Sequence, residues 1–188
     1  EIEDKSVLDV GMIISAQKVE HYEIAGYGSL VALARQLGHD EVAQVLASYP
    51  ARQRGDGFFF SQENEWDSNG AALVALARHW RLARDTPFVE GIVEPIARGA
   101  HWIDRKRRSS GGRKGGGDAA LAGLLPAGTS AEHLGPVDQY YWDDFWGVAG
   151  LRAAADLLRA AGQPDAAADA AGFAARMWSD VEASLAVT

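Results

Sequence analysis

The tripeptide Gly162-Gln163-Pro164 constrains the chain most. It stands between two Ala/Leu-rich stretches, Trp142–Ala161 and Pro164–Leu185. Glycine past a helix end closes that end in a left-handed turn, and proline fits the first turn of the next helix, where its missing N–H is not needed. Two helices joined by so short a stop-and-start must run antiparallel. Other segments repeat the pattern. Ala72, Leu73, Leu76, Trp80 and Leu82 recur at helical spacing behind a cap at Asp67 or Ser68. Asp85-Thr86-Pro87 opens a helix expected to continue through Ile92, Ile96, Trp102 and Ile103. Val7, Val10, Ile14, Val19, Ile24, Tyr27, Val31, Ala34 and Leu37 outline an earlier long helix over 6–37, followed by a short one at Glu41–Ala47. The expected class is all-α, built of paired antiparallel helices.

Between these helices the punctuation is equally local. Arg52 to Gly57 is rich in turn formers, and Phe58-Phe59-Phe60 is expected to be extended. Ser109 to Gly117 carries five glycines and two serines and is expected to be a loop. With 18 basic against 26 acidic residues the net charge is −8, which argues against a nucleic-acid or anionic-membrane partner. No apolar run has membrane-spanning length. The absence of cysteine excludes disulfides and thiolate metal sites. The chain opens on Glu1-Ile2-Glu3 with neither a basic n-region nor an apolar h-region, so a cytoplasmic fragment is the expectation.

Two segments carry chemistry, because each mixes carboxylates with flat aromatic rings: Glu65-Trp66-Asp67-Ser68-Asn69-Gly70 and Tyr140-Tyr141-Trp142-Asp143-Asp144-Phe145-Trp146. Aromatic faces stack on the C–H surfaces of sugars, while carboxylates bind hydroxyls or move protons. Asp67 sits at a helix start, where the dipole favours its ionised form and suits it to base work or hydroxyl binding; the plain alternative is an N-cap. Of Asp143 and Asp144, adjacent at another helix start, at most one is expected to face a pocket while the other caps. Glu132 lies on the preceding loop. These assign Asp67, Glu132 and Asp143 as candidate catalytic groups, and Trp66, Asn69, Tyr141, Trp142 and Asp144 as candidate sugar-binding groups. The Asp67 helix start and Tyr141–Asp144 are expected to lie at the same end of the helical layer. The basic run Arg105-Lys106-Arg107-Arg108 reads as a solvated helix end.

Residues 50–188, through Arg54-Gly55-Asp56-Gly57-Phe58-Phe59, the two acidic-aromatic segments and Gly123-Leu124-Leu125-Pro126-Ala127-Gly128, resemble part of the bacterial six-hairpin (α/α)6-toroid glycosidases, the architecture of glucoamylase and trehalase. The resemblance implies inverting acid/base hydrolysis of α-glucosides in a complete protein. A closed toroid of twelve helices needs more than ~220 residues, so residues 50–188 form a partial one, expected to be inactive by itself and open to self-association.

Residues 1–49 differ in character. Ala16-Gln17-Lys18-Val19-Glu20-His21-Tyr22-Glu23 and Leu33-Ala34-Arg35-Gln36-Leu37-Gly38 resemble one helix, and the start of the next, of ferritin-like YciE/YciF-type bacterial stress proteins. Glu20 and Glu23, three residues apart on one helix face, are the candidate metal ligands, and the resemblance implies iron or manganese. The glycosidase reading implies no cofactor. The alternatives carried forward are therefore a carbohydrate-acting region, a metal-binding helical stress protein, and a non-catalytic helical interaction module.

Overall fold

A computed structural model describes residues 45–46, 48–109, 119–129 and 135–187. The described residues form an all-α protein of five helices: α1 Ser68–Ala83, α2 Thr86–Gly91, α3 Val93–Ser109, α4 Tyr141–Ala160 and α5 Pro164–Leu185. Single 3-10 turns occur at Tyr49–Arg52 and Ala119–Leu121. No helix among them is long and apolar enough to cross a membrane. The long helix expected over 6–37 lies outside the described residues, as does the glycine-rich stretch after Ser109. Ser109 itself closes α3 instead of opening a loop. Of the expected Glu41–Ala47 helix, Val45 and Leu46 are described and are helical.

The α4–α5 turn follows its sequence chemistry. Gly162 adopts φ +70°, the Gln163 N–H donates to the Leu158 carbonyl at 2.9 Å, and Pro164 begins α5. This six-to-one closure satisfies a carbonyl that the helix end would otherwise leave open. At the start of α2 the Asp85 side chain accepts from the Phe88 N–H at 3.1 Å, as its capping position predicts.

The single helix expected from Thr86 to Ile103 is instead two. It breaks at Ile92, between α2 and α3. Pro95 has no N–H to offer the Gly91 carbonyl four residues back, and its ring crowds that carbonyl. The apolar spacing runs through the break, so periodicity alone hid it.

Hydrogen bonds fix the directions of packing. Trp142 at the start of α4 bonds Asp67 just before α1, while Arg81 near the end of α1 pairs with Asp156 near the end of α4. Helices α1 and α4 therefore run parallel. Tyr141 at the start of α4 meets Ser184 at the end of α5, so those two are antiparallel. Arg107 near the end of α3 reaches Asp180 near the end of α5, which aligns α3 with α5. One end of the layer thus gathers the starts of α1 and α4 with the ends of α3 and α5.

The core fills the space between them with fully buried Leu73, Leu76, Ile96, Ile103, Leu151 and Met177. Two glycines set the closest approach. A methyl group on Gly150 would come within 2.5 Å of the Gly70 Cα, and one on Gly70 would collide with the Trp146 carbonyl. Without side chains at these positions the backbones of α1 and α4 touch, and the residues just before the crossing are drawn together.

Candidate functional site

Those residues are Asp67 on α1 and Trp142 and Asp143 on α4. The Trp142 Nε1–H donates to Asp67 Oδ2 at 2.8 Å. The sequence reading of Asp67 as a helix cap is corrected here: its side chain makes no capping bond and turns across to α4. The expected dipole effect is reversed as well. Burial pushes the Asp67 carboxyl above its usual range, against the lowering effect of the Trp142 bond, and Glu65 adds to the rise.

Asp143 is more strongly perturbed. Only 1% of its surface is exposed, and neither carboxyl oxygen accepts a hydrogen bond among the described residues. Burial, reinforced by the charges of Asp67, Asp144 and Glu65, pushes it up to about 8. A carboxyl in that setting holds its proton at neutral pH. Asp143 and Asp144 are both buried, and the cap position of α4 is occupied by Tyr140. Asp144 Oδ1 accepts from the Leu125 N–H at 2.8 Å, tying the turn after the 3-10 segment to α4. Burial raises Asp144 to about 7 despite that bond and the nearby charge of Arg107.

The aromatic candidates divide between the cluster and the core. Trp142 meets Trp146 edge to face with centroids 6.0 Å apart. The Tyr141 hydroxyl lies 2.8 Å from Ser184 Oγ, and its ring stacks on Phe145. Trp66, read from sequence as a sugar platform, is packed instead against Phe58 and Trp102, with the Lys106 ammonium 3.6 Å above its ring. Its indole N–H donates to the Ala127 carbonyl at 3.2 Å. Desolvation lowers the Lys106 pKa. Asn69, also read as a sugar ligand, is fully buried and clamps backbone: Oδ1 accepts from the Phe59 N–H, while Nδ2 donates to the Gly57 and Gly99 carbonyls at 3.1 and 3.0 Å. Both Nδ2 protons are used, so Asn69 positions the loop ahead of the cluster. Glu132, Glu20 and Glu23 lie outside the described residues.

Sequence reasoning missed two elements. The first is Glu65, a buried carboxylate held by Ser61 and Gln62 at 2.6 and 3.0 Å. The second corrects the reading of the basic run as a solvated end. Arg107 is 3% exposed and bonds Asp104, the Gly123 carbonyl and Asp180, the last at 2.6 Å. Its signal was present, because position 107 lies four and seven residues after buried Ile103 and Ala100.

Beside the cluster a cavity of about 670 Å3 follows one face of α1. Asp67, Ser68 and Glu65 line it at the helix start, Ala71, Val74 and Ala75 along its middle, and Leu82 at the far end. Trp146 and Phe60 also contribute to its walls. Asp67 therefore belongs to both the carboxyl cluster and the cavity, whereas Asp143 sits behind it. Among the described residues no group of three or more His, Asp or Glu side chains is arranged to hold a metal ion.

Comparison with known proteins concerns the other part of the chain. Residues 1–53 match a family model described as "Domain of unknown function (DUF892)". Protein YciF of Escherichia coli (strain K12) is 54% identical over 44 residues, which are 23% of this chain and 26% of that protein. The chain thus spans about a quarter of the length of the curated relative it matches. No solved structure matches. The toroid-glycosidase resemblance of residues 50–188 receives no support from these comparisons, while the amino-terminal quarter of the chain is similar to YciF.

Proposed function

We propose that the amino-terminal part is a ferritin-like helical segment of the YciF kind, with Glu20 and Glu23 offering carboxylates to iron or manganese. The observation that carries this reading is the 54% identity to YciF over 44 residues. Because the matched stretch is a fraction of that protein, a complete ligand set requires helices beyond the matched 44 residues. Metal analysis of the purified protein tests it. Iron or manganese at a fixed ratio per chain, lost when Glu20 and Glu23 are both changed to Ala, is expected; metal-free protein after growth in iron- and manganese-supplemented medium refutes it.

A second reading is favoured for the described part by one observation, the Trp142–Asp67 bond that sets a half-buried carboxyl in front of the buried, protonated Asp143. In this reading the cluster binds a carbohydrate. Asp67 meets a sugar hydroxyl or the glycosidic oxygen, while burial and the charge of Glu65 keep Asp67 from ionising freely. Inverting hydrolysis also needs a carboxylate ~6.5–9.5 Å away to activate water, the role left to Glu132. The chain alone is expected to bind maltooligosaccharides without releasing glucose, and Asp67→Asn is expected to weaken that binding. Turnover abolished by both Asp67→Asn and Glu132→Gln would make the chain a complete hydrolase. Absence of any sugar binding would refute the carbohydrate reading and leave a helical interaction module.

A further inference from the structure

The cavity beside α1 has carboxyl groups at the helix start and small apolar side chains along its middle, with Arg78 and His79 between these and Leu82. Its lining residues 68, 71, 75, 78 and 82 form a stripe at helical spacing. From Ser68 to Leu82 the stripe extends for ~21 Å at ~1.5 Å per residue. At the cluster end it offers the Asp67 carboxyl, of which Oδ2 accepts from Trp142, while Glu65 beside it is already held by Ser61 and Gln62. Along the middle its floor is made of the small side chains Ala71, Ala72 and Ala75, which leave width for a ligand. At the far end Leu82 remains 46% exposed. The volume of about 670 Å3 falls within the range of small-molecule sites. A free sugar would wet the apolar length to no purpose, and a plain hydrocarbon would desolvate Asp67 Oδ1 without giving it a donor.

We propose that this groove binds an amphipathic glycoside, with the sugar hydroxyls at Asp67 and an apolar aglycone lying along α1 toward Leu82. The proposal rests on the carbohydrate reading of the cluster and adds the class of ligand. The hydroxyls of the sugar donate to carboxyl oxygens at one end, and the aglycone covers Val74, Ala75 and Leu82. Arg52 and Arg78 also line the groove, so the competing headgroup is an anion.

The test is calorimetric titration of the full chain with n-alkyl α-glucosides from methyl to octyl, each below its micelle-forming concentration. Affinity is expected to rise roughly two- to fourfold for each added methylene. Octanol is expected to bind at least about tenfold more weakly than octyl glucoside, since its single hydroxyl replaces the several donors of a sugar. Leu82→Lys, at an exposed position that tolerates substitution, is expected to reduce octyl glucoside binding severalfold and leave methyl glucoside binding unchanged. Asp67→Asn is expected to weaken both. Methyl glucoside binding that depends on Asp67 but gains nothing from chain length would overturn the groove and leave the carbohydrate reading standing. Octyl glucoside binding matched by octanol and insensitive to Asp67→Asn would overturn both. Octanoate binding more tightly than octyl glucoside would overturn the sugar headgroup in favour of Arg52 and Arg78. No binding by any member of the series would overturn the proposal outright.

Discussion

Replacing Asp143 by Asn removes one titrating group from the site while keeping its shape, and the consequence depends on pH with a definite sign. The folded protein holds the Asp143 proton up to about pH 8, whereas the unfolded chain releases it near 3.8. Below pH 4 both states are protonated and Asp143 costs nothing. Between 4 and 8 the folded state binds more protons than the unfolded state, so stability falls as pH rises; above 8 the loss is complete. Each unit of difference is worth ~1.36 kcal/mol, so the span from pH 5 to pH 8 has a ceiling of roughly 4 kcal/mol, or about half that if water reaches the carboxylate once it ionises. Asn carries no such slope, although its unbonded amide adds a cost that is the same at every pH. Urea unfolding of both proteins at pH 5, 6, 7 and 8 gives the comparison. The stability of Asp143→Asn relative to the parent should increase by about 2–4 kcal/mol across that range. A difference flat to within ~0.5 kcal/mol would show that Asp143 ionises normally and would refute the buried-acid reasoning.

Three further outcomes follow from the packing. Gly150→Ala places a methyl against the Gly70 backbone and should cost about 1–3 kcal/mol in urea unfolding. Asn69→Ala strips partners from the Phe59 N–H and the Gly57 and Gly99 carbonyls and should cost about 3 kcal/mol, with amide hydrogen exchange at Phe59 accelerated. Arg107→Met leaves Asp104 buried beside Arg108 alone and removes the link to Asp180, which should lower stability by about 3 kcal/mol.

Local chemistry was the part of this molecule that the sequence made legible. Gly162 and Pro164 act on the backbone at their own positions, so the α4–α5 turn needed no knowledge of the rest of the chain. Asp85 likewise declared its cap. Pro95 carried the same kind of local information about the break at Ile92, but an apolar spacing that continued across it masked the signal. The convergence of Asp67 with Trp142 was expected from the pairing of acidic-aromatic helix starts. The burial of Asp143 was not, because it depends on how closely α1 and α4 cross at Gly70 and Gly150, residues 80 positions apart in sequence. Asn69 and Trp66 misled for a related reason. Their residue types suit sugar binding, yet their polar atoms are occupied by backbone groups brought in from Gly57, Gly99 and Ala127.

The central claim is that the starts of α1 and α4 build one site in which Asp143 keeps its proton behind a perturbed Asp67. Carbon-detected NMR titration of the aspartate side-chain carboxyls, assigned with Asp67→Asn and Asp143→Asn, measures this directly. The account predicts that Asp143 titrates near 8, that Asp67 titrates above the usual carboxylate range, and that Asp67→Asn lowers the Asp143 midpoint. Two independent midpoints near the ordinary value of ~4, neither affected by removal of the other residue, would contradict it.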